Sequence, residues 1–186
     1  MIGEFAYYEP VGEWLVSRGY DIGKGLGLPR DSYEDRGSPT LRPDKVGIGN
    51  LGTKKIEIVS VEIKNGRINY DMIVQASRYF IFSHKVYIAS PHKPSPEIAN
   101  RIKQLGIGFL LINPKSMKIT EYVKPQLRAL KNRKEMIYWL NNYFKVYECR
   151  ICGNFVRKDQ AKEDSFENRK TNRKLSYNKS RMSKMC

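Results

Sequence analysis

Residues 43–79 read PDKVGIGNLGTKKIEIVSVEIKNGRINYDMIVQASRY, and this stretch decides the fold. From Lys55 to Lys64, β-branched residues alternate with other types, and the run ends at Asn65-Gly66. The pattern predicts a strand that is closed by a turn. A shorter run from Lys45 to Ile48 predicts a second strand. If the two strands pair, residues at their ends lie close together.

Three polar side chains in this stretch indicate metal-dependent chemistry. Side chains two apart on a strand share a face, so Glu62 and Lys64 point to the same side of the longer strand. Asp44 precedes the shorter strand, and pairing would bring its carboxylate near that of Glu62. Two carboxylates and an ammonium would then converge. The alternative interpretation is a plain turn at Asp44 and a solvated ion pair on an edge strand.

Such a trio suits a divalent cation and a phosphate. Mg²⁺ or Mn²⁺ prefers oxygen ligands, which Asp44, Glu62 and the carbonyl of Ile63 would supply. A bound cation lowers the pKa of water and offsets charge that develops on a phosphate. Lys64 would orient the attacking water or help to deprotonate it.

The order Pro-Asp, a spacer of seventeen residues, and Glu-x-Lys at a strand end resembles the PD-(D/E)XK nuclease superfamily. The predicted helix over residues 71–81 contains Gln75-Ala-Ser-Arg78-Tyr79, which is similar to the Gln-x-x-x-Tyr motif of the RecB-type members. Gln75 and Tyr79 share a helix face because they are four residues apart. The resemblance implies a catalytic role for Gln75 and substrate contacts for Arg78 and Tyr79. Without the preceding strand, Gln75 would be an ordinary surface glutamine.

The start of the chain provides a further candidate acid. Tyr8, Val11 and Leu15 follow the spacing of an amphipathic helix. One turn earlier, the same face reaches Glu4, a carboxylate that is costly to bury without a partner. Many nucleases of the superfamily that the motifs resemble have an acid on the first helix facing the metal, and Glu4 fits this role best. Glu9 is the rival, and either acid could simply be favoured by the helix dipole.

The cysteines indicate a second metal site near the C-terminal end. Cys149 and Cys152 form a Cys-x-x-Cys pair followed by Gly153, which resembles the first knuckle of a zinc ribbon. A closed structural zinc site takes four ligands, yet Cys186 is the only other cysteine. Three explanations stay open: the chain ends inside the second knuckle, another group or chain supplies a ligand, or no Zn²⁺ binds.

The charge of the chain predicts a polyanionic partner. The formal net charge is +15 over 186 residues, which favours nucleic acid. The resemblance to the PD-(D/E)XK nucleases implies DNA before RNA. No strongly amphipathic basic helix stands apart from the fold, so we expect no membrane partner. The lack of an apolar run or export leader, together with three cysteines of metal-type spacing, favours a cytoplasmic location. A homodimer stays open.

Together these patterns predict an α/β protein. Residues 1–125 are expected to form a restriction-endonuclease-like core, in which helices flank a mixed central β-sheet, with a substrate-contacting flap at residues 23–42. Residues 126–146 are expected to form a connecting helix. Residues 147–186 are predicted to be a small, basic, cysteine-containing C-terminal appendage that is partly ribbon-like or mobile.

The function that the resemblance implies is Mg²⁺-dependent hydrolysis of phosphodiester bonds in nucleic acid. Two alternatives belong to other classes of protein. The first is a non-catalytic nucleic-acid-binding protein on the same scaffold, and the second is a zinc-ribbon adaptor in which the C-terminal residues act.

Overall fold

The computed structural model describes residues 3–22, 43–130, 132–149 and 152–157. The predicted flap, Cys186 and most of the predicted appendage lie outside the described residues. The chain divides into two compact units. The first unit comprises Met1–Gly49 and Glu57–Met136, and the second comprises Asn50–Ile56 and Ile137–Cys186.

The first unit is built around a five-stranded mixed sheet. The spatial order of the strands follows the chain, with a parallel centre and an antiparallel strand at each edge. The predicted α/β class, with a mixed sheet and flanking helices, is therefore confirmed. The strands are β1 (Lys45–Gly49), β2 (Glu57–Ile63), β3 (Lys85–Ser90), β4 (Gly108–Ile112) and β5 (Ile119–Val123).

Three helices flank this sheet, and local capping defines where two of them begin. The Asn69 side chain accepts the Met72 N–H, and the Ser95 side chain accepts the Ile98 N–H. Within the described ranges, no helix has the length and apolar character needed to cross a bilayer. A 3₁₀ turn (Glu4–Tyr7) leads into α1 (Tyr8–Ser17), α2 (Tyr70–Ser77) continues into a 3₁₀ turn (Arg78–Ile81), and α3 spans Pro96–Gln104.

The alternation of side chains along β2 determines what each sheet face contacts. On one face, three apolar side chains pack under α1 and the turn before it. On the other face, Ser60 bonds to Ser83, and Glu62 bonds to Tyr79. Because β2 lies between β1 and β3, the alternative of an exposed edge strand is excluded. The apolar face consists of Val59, Val61 and Ile63 under Tyr7, Val11 and Leu15.

The predicted connecting helix over residues 126–146 is shorter in the structure. Helix α4 (Arg133–Trp139) is followed by a π-helical turn (Leu140–Phe144), and residues 124–130 have no regular secondary structure. The N–H groups of Gln126 and Arg128 donate to the carbonyls of Gly106 and His84, which keeps this segment extended. Leu127, in this extended segment, is 65% exposed.

The second unit contains a short antiparallel hairpin, β6 (Val146–Glu148) and β7 (Phe155–Arg157). The loop after β1 pairs with β7, because the Gly52 N–H donates to the Phe155 carbonyl and the Phe155 N–H donates to the Thr53 carbonyl. Residues 50–56 therefore belong to this unit, although they connect two strands of the other.

One glycine of the sheet tests the packing of the first unit. Gly108 pairs with Tyr87, and a Cβ at Gly108 would lie 2.4 Å from the Tyr87 ring, whose hydroxyl donates to Glu121 at 2.6 Å. We expect Gly108→Ala to lower the free energy of unfolding by about 1–3 kcal/mol through this overlap. Urea denaturation measures the change. Gly66→Ala is the control, since its Cβ would meet nothing within 4 Å. Equal stability of the two variants would contradict the packing.

Candidate active site

The register of β1 against β2 brings the Pro43-Asp44 step to the end of β2. Lys45 pairs with Val61, so Pro43 is the residue opposite Ile63. The Asp44 carboxylate accepts the Ile63 N–H at 2.7 Å. A strand residue directs its N–H and carbonyl to the same edge, and proline has no N–H to offer the Ile63 carbonyl. A carboxylate and a backbone carbonyl are therefore placed side by side.

Glu62 is the most buried charged group of this cluster, with 1% of its surface exposed. One carboxylate oxygen lies 2.6 Å from the Lys64 ammonium, and the other accepts the Tyr79 hydroxyl at 2.5 Å. Burial and the charge of Asp44 raise the pKa of Glu62, although the bonds from Lys64 and Tyr79 act against this. Asp44, Glu62 and Lys64 therefore converge, as their spacing in the sequence predicts.

The environment of Lys64 favours its charged form. Burial alone would lower the pKa of the ammonium. The bond to Glu62 and the charges of Glu62, Asp44 and Glu4 outweigh burial and raise this pKa above its usual value. Lys64 is therefore a positive charge beside two carboxylates in the metal-free protein, and both predicted roles, orientation of the water and removal of its proton, stay predictions.

Tyr8 is a site residue that sequence reasoning assigned only to the core. Its hydroxyl donates to the Asp44 carboxylate at 2.5 Å. Burial, this bond and the charges of Asp44, Glu4 and Glu62 raise the pKa of Tyr8, so the hydroxyl keeps its proton. The available signal was a tyrosine, which has a polar end, on an otherwise apolar helix face. Tyr8 fixes the second oxygen of the carboxylate that Ile63 already holds.

The structure distinguishes between the two acids predicted near the first helix. Glu4 is half-buried in the turn before α1, and its charge acts on both Tyr8 and Lys64. Glu9 is exposed in the first turn of α1. The structure therefore brings Glu4 to the cluster and leaves Glu9 at the surface.

The Gln-x-x-x-Tyr segment reaches the cluster through Tyr79. The Gln75 amide donates to the Tyr79 hydroxyl at 3.3 Å, and this hydroxyl donates to Glu62. The Tyr79 side chain is fully buried, so it positions Glu62, and the predicted contact of Tyr79 with the substrate is corrected to this indirect role. Arg78 is exposed in the 3₁₀ turn after α2, where contact with a substrate stays a prediction.

The oxygen atoms of this cluster fit a hard divalent cation. The Asp44 and Glu62 carboxylates are close enough for one charge to act on the other, and Lys64 supplies one opposing charge. The described residues gather no group of three or more His, Cys, Asp or Glu side chains of metal-site type. Mg²⁺ normally takes one or two carboxylates and completes its shell with water and phosphate. Asp44, Glu62 and the Ile63 carbonyl match that partial set.

In the second unit, two thiols lie at the tip of the β6–β7 hairpin. The Cys149 N–H donates to the Asn154 carbonyl, and the Gly153 N–H donates to the Cys149 carbonyl at 2.8 Å. Gly153 has a φ of 76°, which favours glycine. This turn brings Cys149 and Cys152 to the same loop, and a structural zinc site, which takes four ligands, would need two more than these thiols. Cys186 lies outside the described residues.

The raised pKa of Glu62 predicts how stability depends on pH in metal-free protein. The unfolded chain loses this proton near the usual pKa of 4.5, before the folded protein does. The stability contributed by protonated Glu62 is therefore lost as pH rises above about 4.5. We expect the free energy of unfolding of the wild type minus that of Glu62→Gln to fall with rising pH.

Urea denaturation with a chelator present, between about pH 4 and pH 8, measures this difference. Glu13→Gln is the matched control, because Glu13 is an exposed glutamate of α1. A difference for Glu62→Gln that increases with pH would require a lowered pKa and would contradict the proposed environment.

Two carboxylates, a backbone carbonyl and an ammonium thus meet at the carboxyl end of β2, and a tyrosine hydroxyl supports each carboxylate. The chemistry of this cluster is inferred from its geometry and electrostatics. Comparison of the chain with protein-family models, with curated proteins and with solved structures finds no match.

Proposed function

We propose that this chain is a Mg²⁺-dependent nuclease that hydrolyses phosphodiester bonds, with DNA as its first candidate substrate, on a PD-(D/E)XK, restriction-endonuclease-like core. The observation that supports it is the meeting of Asp44, Glu62 and Lys64 at the end of β2. Two carboxylates that share a poorly solvated site repel each other, and such arrangements concentrate at functional sites.

The residues of the chain would hold the cation and keep its ligands in place. Asp44, Glu62 and the Ile63 carbonyl would be the protein ligands. When bound, the ion lowers the pKa of water and offsets charge on the phosphate. Tyr8 and the Ile63 N–H fix the two oxygens of Asp44, while Tyr79 fixes Glu62. The ligands are thus oriented before a substrate arrives.

Lys64 would act on the reacting groups as a positive charge. Its ammonium has three N–H donors, and Glu62 accepts one of them. The other donors are suited to a phosphate oxygen or to the attacking water. An ammonium preorganised in a partly buried site stabilises the charge that develops during the reaction more strongly than solvent does.

The net charge supports nucleic acid as the partner. A formal charge of +15 attracts a polyanion over the whole surface, and phosphate neutralisation provides most of the affinity of non-specific binding. A non-catalytic nucleic-acid-binding protein has the same charge. It would have no chemical need for two carboxylates and a lysine held together in the interior.

The catalytic role of Lys64 is tested by comparing Lys64→Met with a variant that breaks a similar ion pair elsewhere on β2. Lys85 lies 2.9 Å from Glu57 at the opposite end of β2, so Lys85→Met also removes a lysine from a β2 glutamate. We expect Lys64→Met to slow cleavage by at least about a hundredfold, because a positioned charge at the reacting group is lost. Lys85→Met should cleave at nearly the wild-type rate.

The assay uses labelled single-stranded, double-stranded and branched DNA with Mg²⁺, Mn²⁺ or a chelator. Asp44→Ala should also abolish cleavage while DNA binding is retained. Wild-type cleavage rates in both Lys64→Met and Asp44→Ala would exclude the proposed site. Binding without cleavage by the wild type under all metal conditions would leave the non-catalytic alternative.

A structural Zn²⁺ at the hairpin tip is a second part of the proposal, supported by the turn that contains Cys149 and Cys152. We expect one Zn²⁺ per chain in the full-length protein and a loss of this ion in Cys149→Ser/Cys152→Ser, since two thiolate ligands are removed. Elemental analysis after dialysis measures the ratio. Loss of Zn²⁺ from Cys186→Ser would identify the third thiol as a ligand. A wild type that holds no Zn²⁺ would contradict the proposed zinc site.

A further inference from the structure

A groove opens at the ends of β4 and β5 in the first unit. Its volume is about 500 Å³, which is within the range of sites for small ligands. Its walls combine apolar side chains with two exposed lysines, and no acidic residue is among the described residues that line it. The apolar lining is Pro91, Leu111, Ile112 and Pro114, and the lysines are Lys115 and Lys118.

Strand register connects this groove to the candidate active site. Ile63 pairs with Ala89, so Lys64 is opposite Ser90, which in turn pairs with Leu111 of the groove. Paired positions present their side chains on the same face, and neighbouring strands lie about 4.8 Å apart. Leu111 is therefore two strands, or about 10 Å, from Lys64, on the face that also carries Glu62.

The lining of the groove matches one nucleotide better than a duplex. Apolar walls suit the flat face of a base, and two ammonium groups suit a phosphate. The bases of a duplex are stacked and paired, so entry of a base costs unstacking and unpairing energy, which a single-stranded region avoids. A distance of about 10 Å corresponds to about three stacked nucleotides or fewer extended ones.

We propose that this groove binds an unpaired nucleotide of the substrate, with its phosphate at Lys115 and Lys118, so that the nuclease acts on nucleic acid that is single-stranded beside the cut. The inference rests on the proposed function, because it places the groove on the path of the strand that is cleaved. It adds the class of substrate, which the carboxylates and Lys64 do not determine.

Removal of the two groove lysines tests this binding site. Lys115→Ala/Lys118→Ala is compared with Lys103→Ala/Lys124→Ala, which removes the same charge from exposed lysines on α3 and after β5. The probe is a labelled oligonucleotide of about twenty nucleotides, single-stranded or as a duplex, titrated in chelator at several salt concentrations.

We expect the groove variant to lose about tenfold in affinity for the single strand, and its salt slope to decrease by about 0.7, since the two lysines hold one phosphate and each neutralised phosphate contributes about 0.7. The control pair should keep the wild-type slope, and the duplex should respond alike to both pairs. Equal losses in both pairs on the single strand, or an equally selective loss on the duplex, would overturn the groove as a site for an unpaired nucleotide.

Failure of this inference is distinguishable from failure of the proposed function. Binding in chelator does not depend on cleavage, whereas Lys64→Met reports on cleavage alone. A wild type that cleaves DNA but shows no groove-specific loss overturns the groove and leaves the nuclease. A wild type that never cleaves but shows this loss overturns the nuclease and leaves the groove as a site for single strands.

Discussion

The hydrogen bond from the Ile63 N–H to the Asp44 carboxylate determines where the site forms. Backbone pairing between β1 and β2 reaches Lys45, and the next position that would exchange two hydrogen bonds is Pro43 opposite Ile63, where proline cannot complete the pair. The Asp44 side chain therefore accepts the Ile63 N–H in place of a backbone carbonyl. A hydrogen bond to an ionised group contributes about 1.5–3 kcal/mol, which helps to hold Asp44 beside a second carboxylate that repels it.

Two tyrosines from opposite sides of the sheet donate hydrogen bonds to the two carboxylates of the site. Tyr8 comes from α1 and bonds to Asp44, while Tyr79 comes from the turn after α2 and bonds to Glu62. Two of the three flanking helices, α1 and α2, are therefore each tied by a hydroxyl to a different carboxylate. A buried carboxylate that loses a partner is strongly destabilised, so these bonds couple helix packing to the geometry of the site. The groove at the ends of β4 and β5 is formed by the same sheet.

Sequence patterns predicted the parts of the site that depend on local geometry. Period-two alternation was enough to place Glu62 and Lys64 on one face, because both belong to one strand. The hydrogen bonds of the Tyr8 and Tyr79 hydroxyls to Asp44 and Glu62 were not predictable, since the partner of each hydroxyl comes from another element of the fold. The segment that contains Leu127 was predicted as part of a helix, but the N–H groups of Gln126 and Arg128 donate to carbonyls of neighbouring segments. Tertiary pairing there overrides propensity.

The two ends of β2 show what distinguishes a structural ion pair from a candidate cation site. At the amino end, burial would raise the pKa of Glu57, but hydrogen bonds from Tyr20 and Lys85 prevail and lower it. At the carboxyl end, burial and the charge of Asp44 prevail, and the pKa of Glu62 is raised although it too has a lysine and a tyrosine. Two things differ at this end, because Glu62 is more deeply buried than Glu57 and a further carboxylate, that of Asp44, acts on it. Glu57 is paired with Lys85, whereas Glu62 and Asp44 repel each other beside Lys64, and the proposed divalent cation would offset this repulsion.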